Sequence, residues 1–220
     1  MGTPELACAS LEALLNAPDI QVLAVVTQPD RPKGRALHLT PSPVKELASR
    51  KGLPVLQPEK AREQDFIESV RQMNPDLILV AAYGQILPAA LLEVPRLGCL
   101  NVHTSLLPKL RGAAPIQWAI LNDEPVTGIT IMKMDVGLDT GDILTQESTA
   151  ILPTDDAQSL HDRLTQLGGR LLVETIGRYV SGTLQPTPQL TKGATYARKI
   201  VKEDGRINWD LAARTIWNQV

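Results

Sequence analysis

Apolar positions along this chain fall into short unbroken runs that alternate with longer amphipathic stretches. Leu6, Leu11, Leu14 and Leu15 share much of one face at helical spacing and predict a first helix. Aliphatic runs at 21–27, 53–58 and 77–82 have strand length, and the β-branched first of them reads as a buried parallel strand. Ser42-Pro43 supplies an N-cap and first helical position for a second helix, and 61–73 reads as a charged surface helix burying Phe66, Ile67 and Val70. Further strands are predicted at 99–103, at 128–134 with one face more exposed, and at 142–151. A helix starts near Pro115, and Thr154, Asp155 and Asp156 precede a long amphipathic helix whose macrodipole favours acids at that end. The alternation predicts an open, mostly parallel α/β sheet with helices on both faces.

Two places depart from that pattern. The leucine-bearing first helix has no strand before it, although the alternation calls for one, so a first strand is expected to be missing. From residue 185 the chain turns Pro- and Thr-rich, and the segment carrying Trp209 and Trp217 opens a new pattern too short to complete. The expected organisation is a catalytic domain over 1–184, then a linker and the beginning of a truncated second domain over 185–220.

Composition narrows the function classes. With 220 residues and 43% hydrophobic positions the chain can bury a large core, and with 3% aromatics that core is aliphatic. The scarcity of aromatics argues against a stacking platform for single-stranded bases, and a net charge of −2 against a basic footprint over the whole surface. Any nucleic-acid contact must be local. Arg31, Lys33 and Arg35 put three positive charges in five residues, a pattern open to two readings, a solvated loop or a phosphate contact. Cys8 and Cys99 lack metal or redox spacing and are expected to be buried thiols in a reducing compartment. No leader pattern or membrane-length apolar run is present in this stretch, and the expectation is a soluble, cytoplasmic protein.

The chemistry concentrates in 98–142. Asn101 and His103 are two apart on a predicted strand and so point to the same side, and Asp139 lies in a Gly- and Asp-rich turn. A histidine with a carboxylate can hold or pass a proton near neutrality, and an amide N–H can donate to an oxygen that becomes negative. That set suits acyl transfer to an amine. With no Ser or Cys in a nucleophile elbow, direct attack of one substrate on the other is favoured over a covalent intermediate. Taken singly, each piece also has a structural reading: a hydrogen-bonded histidine at a strand end, a β-turn with Asx bonds. The loop after Tyr83-Gly84-Gln85, at a predicted strand's carboxyl end, reads as a pocket wall or a plain strand-to-helix turn.

NVHTSLLPKLRGAAPIQ followed by TGITIMKMDVGLDTGDIL resembles the active-site sequence of the methionyl-tRNA formyltransferases, within the wider family that uses 10-formyltetrahydrofolate. The likeness continues through MGTPELACASLEAL, VVTQPDRPKGR, PSPVKELA, LPVLQPEK, PDLILVAAYGQILP and TYARKIVKEDGRINW, essentially end to end. The resemblance implies a Rossmann-like formyltransferase sheet followed by a barrel-like C-terminal domain, and a role in translation initiation. It implies 10-formyltetrahydrofolate as formyl donor without a metal, methionyl-initiator tRNA as acceptor, and no obligatory protein partner.

On this resemblance Asn101 and His103 stabilise the oxyanion, and Asp139 orients and charges the histidine or relays protons. Ser105, Leu106, Leu107 and Pro108 contact the folate, Ile86 and Leu87 wall the pterin pocket, and Val136, Gly137 and Leu138 offer backbone groups to the pterin ring. Arg31, Lys33 and Arg35 reach the tRNA acceptor stem. Leu6 stands in the methionyl pocket, where the family often has an aromatic. The alternatives are formylation of a glycinamide ribonucleotide or an amino-sugar nucleotide, or a folate-binding fragment that does not turn over.

Overall fold

The computed structural model describes residues 1–33 and 38–220. Helix α1 (Glu5–Asn16) is followed by β1 (Val25–Val26), the hairpin strands β2 (Arg31–Lys33) and β3 (His38–Thr40), α2 (Pro43–Arg50), β4 (Val55–Leu56) and α3 (Gln64–Met73). Then come β5 (Ile78–Val80), α4 (Ala89–Leu92), β6 (Cys99–His103), β7 (Arg111–Gly112), α5 (Pro115–Leu121), β8 (Val126–Lys133) and β9 (Ile143–Ala150). The long α6 (Ala157–Val180), β10 (Tyr196–Ala197), a 3₁₀ turn (Lys202–Gly205) and α7 (Ala213–Gln219) complete the chain. Helix starts follow local chemistry: the Ser42 hydroxyl accepts from Lys45 N–H at 3.1 Å, and Asp156 and Ser159 cap α6 reciprocally.

The main sheet runs β5-β6-β8-β9, with β5 and β6 parallel and β8 and β9 antiparallel to their neighbours. A parallel pair, β1 and β4, lies on the far side of β5. Met1 and Gly2 join the two. Gly2 N–H donates to Val26 O at 2.9 Å, Ala81 N–H donates to Met1 O at 2.9 Å, and the Met1 amine donates to Leu79 O. Gly2 forms a parallel bridge with Ala81, so these two residues fill the strand position between β1 and β5 at the carboxyl ends. Toward the amino ends the same gap is a cleft of about 650 Å³, lined by Leu11, Leu14, Val22, Leu77, Leu172 and Ile176 among others.

Helices cover both faces. On one, α1, α2, α5 and α6 bury leucines and isoleucines against Leu100, Val102, Ile129 and Ile131. On the other, Phe66, Ile67 and Val70 of α3 and Leu91 of α4 pack on Val26, Ile78, Val80 and Cys99. Gly168 and Gly169 let α6 approach closely: a Cβ at Gly168 would lie 3.1 Å from Val102, and one at Gly169 would lie 3.0 Å from the Ala9 carbonyl. This close contact seats β6, the strand that carries Asn101 and His103.

The expected exposed face of the 128–134 strand does not occur. Thr130 and Met132 are as buried as Ile129 and Ile131. The reason is register: Thr130 lies opposite His103 and Met132 opposite Asn101, and the 104–110 loop folds over this face. Cys99 is buried as expected, and burial pushes its thiol up to about 12; Cys8 is only half-buried. Residues beyond 184 pack back on the domain. β10 pairs in parallel with β7, Ile143 and Thr187 exchange two 2.8 Å backbone bonds, and Arg214 and Asn218 bind Asp123. Among the described residues no helix is long and apolar enough to cross a membrane.

Candidate active site

Leu100 and Val102 face the α6 side, so Asn101 and His103 face the other, at the carboxyl end of β6. Val80 is the register partner of Asn101, which starts the loop after β5 beside the amide. His103 is 5% exposed. Its Nε2–H donates to Leu110 O at 2.9 Å; since a carbonyl can only accept, the ring carries its proton on Nε2. Nδ1 then faces Asp139 Oδ2 at 3.7 Å. Burial pushes the His103 pKa below its ordinary 6.5, and the Asp139 charge partly opposes this.

Asp139 is held by two hydrogen bonds to its carboxylate. Its Oδ2 accepts the Gly112 N–H at 2.8 Å, its Oδ1 accepts a long 3.4 Å bond from Asn101 Nδ2, and its backbone has a φ of 52°, in the left-handed region. The turn is compact because Gly141 leaves no room for a side chain, its Cβ position falling 1.8 Å from the Lys133 carbonyl. Asp135 closes the other end by accepting from Gly137 N–H and the Thr140 hydroxyl. Asn101, His103 and Asp139 are thus brought together from residues 38 apart in sequence.

The remaining sequence-predicted residues divide by exposure. Ile86, Val136 and Leu138 are 84%, 75% and 56% exposed, large apolar side chains left in solvent, and Gly137 is exposed beside them. Leu87, Ser105 and Leu107 are buried, while Leu106 and Pro108 are half-buried. The Ser105 hydroxyl donates to Lys109 O at 2.6 Å, so the SLLP segment is a self-bonded loop. Leu6 is buried in the core with α1. Arg31 is exposed and reaches Gln28 at 3.3 Å, the Lys33 backbone lies in β2, and Arg35 lies outside the described residues. Among the described residues no group of three His, Cys, Asp or Glu side chains is placed to hold a metal ion.

Sequence reasoning missed the supports. Thr130 Oγ1 donates to Ser105 O and accepts from Leu107 N–H and Gln146 Nε2, fixing the loop beside His103. Arg111, 6% exposed, sits within the quoted KLRGAAPIQ, but a charged residue beside a glycine carries no signal that it is buried. Gln189 lies in what reads as a linker.

A formyl transferase family model matches residues 2–176. A methionyl-tRNA formyltransferase of Citrifermentans bemidjiense is 55% identical over all of this chain, which covers 69% of that protein. The chain belongs to the methionyl-tRNA formyltransferase family. The corresponding enzyme of Geobacter metallireducens is 53% identical, again over the whole chain and 70% of its own length. Formyl transfer is therefore the reaction class. Solved structures agree on the fold: the sugar 3N-formyltransferase WlaRD superposes with a TM-score of 0.75 at 21% identity, over 99% of this chain and 75% of that one. A phosphoribosylglycinamide formyltransferase of Bacillus halodurans gives 0.69 at 23%, over 83% of this chain and 94% of that one.

Proposed function

We propose that the chain transfers a formyl group from 10-formyltetrahydrofolate to the α-amine of methionyl-initiator tRNA, with Asn101, His103 and Asp139 as the catalytic residues. The observation that carries the proposal is the His103–Asp139 approach of 3.7 Å with the Asn101 amide across it, on the strand end of a methionyl-tRNA formyltransferase-family fold.

In this mechanism the neutral amine attacks the formyl carbon, and the carbonyl electron pair moves onto oxygen. The Asn101 Nδ2–H donates to that oxygen, an interaction stronger in the transition state than in the ground state. The attacking nitrogen gives up its proton to the Asp139–His103 pair. Since the His103 Nε2–H is engaged by Leu110, Nδ1 is the ring atom that takes or returns a proton on the Asp139 side. Collapse of the tetrahedral adduct breaks the bond to the folate nitrogen, which leaves with a proton. The burial of His103 keeps Nδ1 unprotonated near neutrality and ready as a base.

The exposed side chains of Ile86, Val136 and Leu138 suit the flat, largely apolar face of a pterin, which would remove them from water. The loop of Ser105, Leu106, Leu107 and Pro108, buried at Ser105 and Leu107, supports that pocket, with the buried Leu87 next to Ile86 in sequence. The strands bearing Arg31 and Lys33 serve the acceptor stem together with Arg35, which lies outside the described residues, and Leu6 backs the methionyl side. Translation initiation in the cytoplasm is the setting. The test is formyl transfer from 10-formyltetrahydrofolate to charged initiator tRNA, glycinamide ribonucleotide and amino-sugar nucleotides in parallel. Transfer to the tRNA is expected; transfer only to a small amine overturns the acceptor assignment, and folate binding with no transfer overturns the catalytic one.

A further inference from the structure

Residues 187–197 cross the catalytic face as a strap. At one end Thr187 bridges to Ile143; at the other the Thr195 hydroxyl accepts from Leu110 N–H at 2.9 Å, and β10 pairs with β7. Leu110 and Gly112 are the residues whose backbones hold His103 and Asp139, so the strap is bonded to the segment that orients both. Near its start, Gln189 Nε2 donates to the carbonyls of Asp139 at 3.0 Å and Gly141 at 2.6 Å. Its Oε1 accepts from Arg111 Nε at 3.2 Å and Nη2 at 2.7 Å. Arg111 is buried and forms no ion pair among the described residues, and its guanidinium donates twice to this amide oxygen.

This is a specific use of a carboxamide. One end needs a donor for two turn carbonyls, the other an acceptor for a buried cation, and of the ordinary side chains only Gln or Asn combines them. The turn it grips needs holding, because Asp139 is a non-glycine residue at positive φ.

We propose that Gln189 is a positioning residue for formyl transfer, clamping the Asp139 turn to Arg111 so that the Asp139 carboxylate stays against Asn101 and His103. The proposal rests on the catalytic reading given above. It makes the segment after α6 part of the active-site framework and ties the site's geometry to how that segment is seated.

Two substitutions separate positioning from simple anchoring. Gln189→Glu keeps oxygen acceptors for Arg111, and hence the strap, but removes both N–H donors to the turn. Gln189→Leu keeps approximate volume and removes both functions. For Gln189→Glu the expected result is an unfolding temperature close to the parent's, a KM for 10-formyltetrahydrofolate within about twofold, and a kcat lower by on the order of 10–100-fold, as displacement of a catalytic group by about an ångström produces. The solvent-exposed Gln185, just before the strap, serves as control, and Gln185→Ala should match the parent in all three.

A second readout is independent of turnover. The chain has three histidines, so the His103 ring can be followed by NMR through a pH titration and assigned with a His103 variant. In Gln189→Leu the titration midpoint of His103 should fall, because the carboxylate that favours its charged form is no longer held near. Loss of kcat in Gln189→Glu together with a lowered His103 midpoint in Gln189→Leu supports the proposal. Parent-like kcat in Gln189→Glu with an unmoved midpoint overturns it. If the parent transfers formyl to none of the acceptors, the catalytic reading fails, and the titration alone then decides whether Gln189 holds Asp139.

Discussion

His103 presents Nδ1 to Asp139 Oδ2 across 3.7 Å while donating its Nε2–H to Leu110. The separation is too long for a hydrogen bond and short enough for the carboxylate charge to act on the ring in a buried site. Replacing Asp139 with Asn removes the charge but keeps the shape and an acceptor for Gly112 N–H. The expected outcome is a further fall in the His103 midpoint by NMR and a drop in kcat on the order of 10²–10³-fold. An unchanged midpoint would show that the carboxylate does not act on the ring.

Acid should destabilise the protein through His103. Its pKa in the folded protein lies below the 6.5 of an unfolded chain, mainly because burial penalises the cation. Between those two values the unfolded state binds more protons, so stability rises with pH there. The contribution is fully present above 6.5 and is lost as pH falls through the folded value. His103→Asn lacks this linkage. Denaturant unfolding at a series of pH values should show the gap between parent and variant narrowing on acidification, and a constant gap would contradict the assignment.

Thr130 is buried and serves three bonds at once, to Ser105, Leu107 and Gln146. Thr130→Val preserves shape and leaves Ser105 O and Leu107 N–H unpaired, while Gln146 Nε2 keeps its bond to Leu107 O, a loss of about 3 kcal/mol. The urea midpoint should fall with little change in slope. A loss under about 1 kcal/mol would mean that the loop finds other partners, since unmet buried groups cost about 1–3 kcal/mol each.

Arg31 is solvent-exposed and makes a weak contact with Gln28. Arg31→Ala should raise the KM for charged tRNA, leave the KM for 10-formyltetrahydrofolate alone, and reduce the salt slope of tRNA binding by about one unit if a phosphate contact is lost. An unaltered salt slope would remove Arg31 from the tRNA interface.

Legibility in the sequence followed the length scale of the forces. The strand 99–103 was readable to its bounds because an apolar run ends where its amide and imidazole begin, and α6 was readable from its acids and its period. The two faces of β8 were not, because Thr130 is covered by a loop bonded to it from 25 residues away, and Met132 lies opposite Asn101 in the interior of the sheet. Asn101, His103 and Asp139 were visible as chemically distinctive types. Arg111 and Gln189 were not, since a long-range pairing of an exposed-looking arginine with a linker glutamine leaves no periodic trace.

Gly168 and Gly169 bring α6 to within contact of Val102 and of the Ala9 carbonyl. A methyl group added at either position would wedge the helix away from its neighbours, and the displacement would reach β6, whose other face carries Asn101 and His103. The tolerance of the site to mutation is therefore set in part by two positions on the opposite side of the sheet from it.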